Sequence, residues 1–180
     1  MTWAVWITGL PSSGKTAIAR KVRTLLKDQG VANVKVLELD EIRRFITPQP
    51  TYSDEEREIV YASLVYMAKL LVDCGTPVII DATANRRRYR DRARAAISKF
   101  AEVHVKCSLE TCMARERRRR ARYAPAGIYK RSQEEGATVP GVNVPYEEPV
   151  KSEVEVDSET MTIKKCAERV VEFVLNEYET

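Results

Sequence analysis

Gly9-Leu10-Pro11-Ser12-Ser13-Gly14-Lys15-Thr16 has the form G-x-x-x-x-G-K-[ST], and its flanks give the pattern its meaning. Ahead of it, Trp3-Ala4-Val5-Trp6-Ile7-Thr8 is apolar and bulky enough for a buried strand. Behind it, Ala17, Ile18, Val22, Leu25 and Leu26 recur at helical spacing until Gly30. Strand, glycine loop and helix are what a phosphate cradle needs. Gly9 and Gly14 permit turns that β-carbons would obstruct, so that loop N–H groups and the positive helix end converge on phosphate oxygens. In such a loop Lys15 reaches the β- and γ-phosphates of ATP, and the Thr16 hydroxyl sits on Mg²⁺.

The remaining chain alternates strand and helix. Val34 to Leu39 reads as a second strand that delivers Asp40-Glu41-Ile42-Arg43-Arg44 at its C-terminal end, where parallel sheets bind ligands. Ser53-Asp54-Glu55-Glu56 is a capping box, with Ser53 capping and Glu56 reaching back. Its helix carries Ile59, Val60, Leu64, Met67, Ala68, Leu71 and Val72 in one stripe and stops at Gly75. Val78-Ile79-Ile80, closed by Asp81, is apolar throughout, as a central parallel strand should be. Glu102 to Lys106 reads as a fourth strand with His104, the only histidine, as a structural residue. Ser108 caps a further helix, Val154-Glu155-Val156 is short enough for a fifth strand, and Thr162 caps a last amphipathic helix. The fold class that follows is α/β, a P-loop NTPase-type doubly wound parallel sheet of about five strands with helices on both faces.

Two stretches resist this scheme. Asn85 to Arg94 holds six arginines in ten residues; it reads either as a solvated helix face or, more sharply, as a few side chains that bind phosphate or sulfate. Tyr123 to Pro149 is long, polar and rich in Pro and Gly; with the end of the preceding helix it defines a lid over about residues 115–149 of a single domain, 1–180.

Composition narrows the function. The chain has 180 residues and a net charge of +4, mild basicity that suits an anionic substrate without demanding nucleic acid. Cys74, Cys107, Cys112 and Cys166 include no C-x-x-C pair and read as free thiols in a reducing compartment. No apolar run approaches a membrane span, and the first strand leaves no room for a signal peptide, so a soluble cytoplasmic protein is expected. The absence of an N-K-x-D signature argues against GTP. Phosphates on the P-loop, Asp40 and Arg43 beyond the next strand, Arg57 on the following helix and a lid above make a small-molecule kinase. Asp40 is the candidate base for the attacking hydroxyl or, alternatively, a ligand of a Mg²⁺-bound water; Asp81 is a second outer-sphere candidate.

Over nearly its whole length the sequence resembles the adenylylsulfate kinase (APS kinase) family. Leu37-Glu38-Leu39-Asp40-Glu41-Ile42-Arg43 is similar to the family's L-D-G-D-x-x-R, and Tyr52 to Arg57 to its F-S-x-E-D-R. Asn85 to Arg94 resembles P-Y-R-R-D-R-D-x-A-R, Gly127-Ile128-Tyr129-Lys130-Arg131 resembles G-L-Y-K-K, and Val144 to Pro149 resembles D-P-Y-E-x-P. The resemblance implies transfer of the γ-phosphate of ATP to the 3′-hydroxyl of adenosine 5′-phosphosulfate in sulfate activation. It implies an ATP loop over Gly9, Leu10, Pro11, Ser12, Ser13, Gly14, Lys15 and Thr16, with Lys15 and Asp40 catalytic. It places Asp40, Arg43, Tyr52, Arg57, Lys130 and Val139 on the acceptor, with Mg²⁺ as cofactor; the sequence does not fix the oligomeric state, and a homodimer is one candidate. Departures fall at Glu38, Leu39, Val60, Ala84 and Val139; Ala84 stands where some members carry a phosphoserine, and Val139 where the lid's adenine-stacking aromatic is found. Val78 to Asn85 and the arginines after it are also similar to polynucleotide-kinase-like and aminoacyl-tRNA kinase sequences, the alternative reading. A non-enzymatic nucleotide-binding module is the third, opposed by intact Lys15, Thr16 and Asp40.

Overall fold

The structure is a computed structural model that describes residues 2–118, 123 and 125–179. A sheet of five parallel strands runs in the order β2-β3-β1-β4-β5. The strands are β1 (Ala4–Thr8), β2 (Lys35–Glu38), β3 (Val78–Asp81), β4 (Phe100–Lys106) and β5 (Val154–Asp157). Helices α1 (Lys15–Asp28), α2 (Leu39–Ile46), α3 (Asp54–Asp73), α4 (Arg87–Ala96), α5 (Leu109–Arg118), α6 (Ile128–Arg131) and α7 (Ile163–Tyr178) connect and cover them.

β1 sits between β3 and β4, with Val5 opposite Ile79 on one side and Ala101 on the other, so both of its edges are satisfied by parallel ladders. Alternation along β1 then sorts its side chains. Val5 and Ile7 join Ile18, Val22 and Leu26 of α1 and Val170 and Val174 of α7 in one core. Ala4 and Trp6 join Tyr61 and Leu64 of α3, Tyr89 of α4 and Phe100 in the other. Each fully buried Ile, Leu or Val contributes about 1.5–3 kcal/mol. The chain departs to opposite sides of β1 at this switch point, and the crevice above the strand ends is where such sheets hold ligands.

The expected elements are present, with differences at three places. The second strand ends at Glu38 rather than Leu39, because α2 begins at once and places Asp40 and Glu41 in its first turn, favourable for its dipole. Ser53 caps α3 through the Glu56 N–H, but the Glu56 carboxylate reaches past Ser53 to Thr51 and Tyr52. The lid segment is not structureless: α6 and a bridge between Pro140 and Val144 organise it, and Tyr129 and Val139 pack with Cys112 of α5 in a third small core. Of the arginine run at the end of α5, residues 119–122 lie outside the described residues.

Candidate active site

The glycine loop is built by exclusion. A β-carbon at Gly9 would lie 2.7 Å from the Val105 carbonyl oxygen and 2.8 Å from Ser13 Oγ, so only glycine fits. Gly14, at φ 104°, turns the chain into α1. Between them the loop curls around its lysine: Lys15 Nζ donates to the Leu10 carbonyl at 2.7 Å, and Ser13 N to the same oxygen at 3.1 Å. The loop is braced from two elements. Arg115 of α5 donates to the Ser13 carbonyl at 3.3 Å and to Ser158 Oγ at 2.9 Å, and the Tyr129 hydroxyl of α6 donates to the Pro11 carbonyl at 2.7 Å.

Above the loop opens a cleft of about 750 Å³, lined by Pro11, Ser12, Gly14, Lys15 and Thr16 and by Asp40, Arg43, Tyr52, Arg57, Asp81 and Val139. Gly9, Leu10 and Ser13 form the loop without lining the cleft. Lys130 is exposed and outside it; its neighbour Arg131 lines it instead. Spacing along the sequence could not separate these two, because a one-turn helix such as α6 points adjacent residues in different directions.

Asp81, at the end of β3, is buried, and its Oδ2 has no hydrogen-bond partner among the described residues. Burial pushes its pKa up to about 6 against the pull of the Lys15 ammonium and the Thr16 hydroxyl beside it. Across the cleft, Arg43 Nη1 lies 2.9 Å from Glu56 Oε1, and its guanidinium carbon stands 4.9 Å from the centre of the Tyr52 ring. Arg57 is buried, and its Nη2 donates to the Thr138 carbonyl at 2.5 Å and to Thr138 Oγ1 at 3.0 Å. Its Nη1 is buried with no partner among the described residues. Burial lowers the Arg57 pKa, and the like charge of Arg43 adds to this, though a guanidinium stays charged at any working pH. The floor of the cleft thus holds a lysine and an acid, and one wall holds two arginines with an aromatic ring.

The arginines of α4 are elsewhere. Arg86 pairs with Glu147, Arg88 and Arg92 with Glu58, Arg90 with Glu102, and Arg94 with Glu153. Arg87 donates to the Glu148 carbonyl. None of them lines the cleft, so the sharper expectation, that some bind phosphate or sulfate, is corrected: they are the scaffold's cations. His104 is structural, buried with its Nδ1 3.7 Å from Glu155, and burial lowers its pKa.

A family model described as Adenylylsulphate kinase matches residues 1–157. The chain belongs to the adenylylsulfate kinase family. It is 36% identical over 172 residues to a probable adenylyl-sulfate kinase of Pyrococcus abyssi, covering 94% of this chain and 92% of that one. It is 35% identical over 177 residues to an adenylyl-sulfate kinase of Bacillus velezensis, covering 96% and 84%. A structure of the Mycobacterium tuberculosis APS kinase CysC in complex with AMPPNP and APS has a TM-score of 0.82 and 26% identity, covering 96% of this chain and 97% of that one. As a member of an adenylylsulfate kinase family the protein is an ATP-dependent phosphotransferase with a nucleotide-binding P-loop, not a regulatory module. The alternative of a polynucleotide or aminoacyl-tRNA kinase gives way with it, since the α4 arginines that suggested a phosphate backbone are already matched by acids. Among the described residues no helix is long and apolar enough to cross a membrane.

Proposed function

We propose that the kinase transfers the γ-phosphate of ATP to the 3′-hydroxyl of adenosine 5′-phosphosulfate, with Asp40 as the acceptor-side base. The carrying observation is that Lys15 and Asp40 line one cleft together with the Arg43, Tyr52 and Arg57 wall. The loop N–H groups and Lys15 hold the triphosphate and neutralise charge as it moves outward in the transition state. Arg43 and Arg57 take the phosphosulfate, Arg57 as a buried guanidinium whose Nη1 has no hydrogen-bond partner among the described residues. Tyr52 and Val139 cover the adenine, and the lid, seated on the loop through Tyr129, excludes water from the transfer. The 3′-oxygen forms its bond to the γ-phosphorus as the bond to the β–γ bridging oxygen breaks. The hydroxyl proton passes to the Asp40 carboxylate, and ADP is the leaving group.

The donors around the loop are hard oxygens, and one of them, Asp81 Oδ2, is buried without a hydrogen-bond partner among the described residues, so the residues present fit Mg²⁺. Thr16 would hold it directly and Asp81 or Asp40 through water, and when bound it supplies neutralisation of phosphate charge. The four thiols are free, which supports a reducing, cytoplasmic setting. Exposed Ile59, Tyr66 and Leu70 along α3 support the expected homodimer, which light scattering reads directly.

Asp40→Asn keeps the shape and removes the proton acceptor. Single-turnover rates should fall by about 10²–10⁴ while ATP affinity changes little. A collapse of ATP affinity with a normal rate in the bound complex would make Asp40 a nucleotide or metal ligand instead. Offering adenylylsulfate, a 5′-hydroxyl oligonucleotide and a tRNA in parallel tests the acceptor.

A further inference from the structure

Glu56 does not line the cleft. Everything its carboxylate binds does. Oε1 lies 2.9 Å from Arg43 Nη1 and accepts from the Tyr52 N–H at 3.3 Å. Oε2 accepts from the Thr51 N–H at 2.6 Å and from the Thr51 hydroxyl at 2.8 Å. Arg43, Thr51 and Tyr52 all face the cleft. Tyr52 has φ 56°, left-handed backbone that a non-glycine residue holds only when its surroundings impose it. A second bond, from Thr138 Oγ1 to the Tyr52 carbonyl at 3.3 Å, holds this residue from the lid side.

We propose that Glu56 is the positioning residue of the acceptor subsite, a carboxylate that never meets the substrate but sets Arg43 and Tyr52 for the anionic and aromatic ends of adenosine 5′-phosphosulfate. The inference rests on the acceptor reading given above. Its physical content is economy of anchoring. Left alone, Arg43 would swing among rotamers and the 51–52 loop would relax out of its left-handed turn, each at an entropic cost to binding. One buried-edge anion fixes both, and it does so with two oxygens whose acceptor capacity matches the donors around them. Burial alone would raise the Glu56 pKa; the bonds from Thr51 and Tyr52 and the charge of Arg43 more than reverse this, so the carboxylate is ionised wherever the enzyme works. In the family pattern F-S-x-E-D-R this position is aspartate, a shorter arm with the same charge, which supplies a conservative variant for the test.

The test is steady-state kinetics of the full-length protein with ATP and adenylylsulfate varied separately, alongside thermal unfolding. Glu56→Gln turns one acceptor into a donor that faces other donors. The KM for adenylylsulfate should rise about ten- to a hundredfold, while kcat and the KM for ATP move by less than about threefold. Glu56→Asp should recover part of the loss. Combined with Arg43→Ala, Glu56→Gln should cost less than it does alone, because part of its effect runs through that arginine. A rise of both KM values together with a lower melting temperature would make Glu56 a merely structural cap. An unchanged KM for adenylylsulfate would overturn the positioning role and leave the acceptor reading standing. Failure of the unsubstituted enzyme to phosphorylate adenylylsulfate would overturn both.

Discussion

Arg57 and Arg90 are two buried guanidiniums in one small protein, and their surroundings could hardly differ more. Arg90, on α4, bonds the Ala84 and Glu147 carbonyls and directs its Nε at Glu102, 3.5 Å away. Arg57, on α3, meets no carboxylate within ion-pair distance among the described residues; it borrows the Thr138 backbone and keeps Nη1 buried without a hydrogen bond. A buried charge without a counter-charge is costly, and it persists where a ligand brings the missing charge. Counting arginines would have placed the site on α4. Counting counter-charges places it at α3, since Arg86 Nε and Arg90 Nε also lack a hydrogen bond but each guanidinium pairs with a carboxylate; the acids divide likewise, with Glu102 matched by Arg90 and Arg94 while Asp81 Oδ2 has no hydrogen-bond partner among the described residues.

The largest effect expected from this contrast is on stability. Arg90→Ala leaves the buried Glu102 with only the partly exposed Arg94, 3.8 Å away, and frees two carbonyls, and should cost about 3 kcal/mol in urea unfolding. Turnover per folded molecule should hold at unsubstituted levels. A loss of activity in the folded fraction would show that Arg90 belongs to the site and the contrast is misdrawn.

Asp81→Asn should go the other way. Its folded pKa, about 6, lies above the unfolded value, so the folded protein binds the extra proton between the two, and stability falls as pH rises through that window. Removing the charge should therefore stabilise the protein by up to about 3 kcal/mol at pH 7 in metal-free buffer, and the gain should fade below about pH 4. Melting curves across pH with chelator check it. A variant less stable than its parent at pH 7 would mean that Lys15 and Thr16 already balance the carboxylate.

Arg57→Ala comes next. It should raise the KM for adenylylsulfate about ten- to a hundredfold with a small change in melting temperature, the reverse of Arg90→Ala. If it unfolds the protein instead, Arg57 is a lid strut through Thr138 and nothing more.

How far the chain could be read without coordinates follows the same division. The strand, loop and helix around Gly9 to Thr16, the apolar run before Asp81 and the caps at Ser53 and Thr162 are local signals, and all are present as read. Asp40 and Arg43 were legible from the strand end they follow and Arg57 from the helix start, while Tyr52 came only with the family resemblance; all four line the cleft. The partners of α4 were not legible: Glu102, Glu147 and Glu153 lie on other elements, and no spacing rule announces a pair made by the fold. The same holds for Lys130 against Arg131, and for Arg115 and Tyr129, which brace the loop from more than a hundred residues away.

The smallest effect belongs to the exposed arginines of α4. Arg88 and Arg92 sit one turn apart and share a single acid, Glu58 of α3. Both are substantially solvated, and exposed ion pairs contribute roughly 0.2–1 kcal/mol at most. Replacing either one by alanine leaves Glu58 with its other partner, so each single variant should change stability by less than about 0.5 kcal/mol. The double variant removes both cations and frees α3 from α4 on that edge, so it should cost more than the two singles added. That excess should shrink in high salt, because the charges involved face water. Kinetics for ATP and adenylylsulfate should stay unchanged throughout. A tenfold or greater loss of phosphoryl transfer in the folded double variant would return the arginine run to the substrate side, and with it the idea that basic density rather than missing partners marks the site.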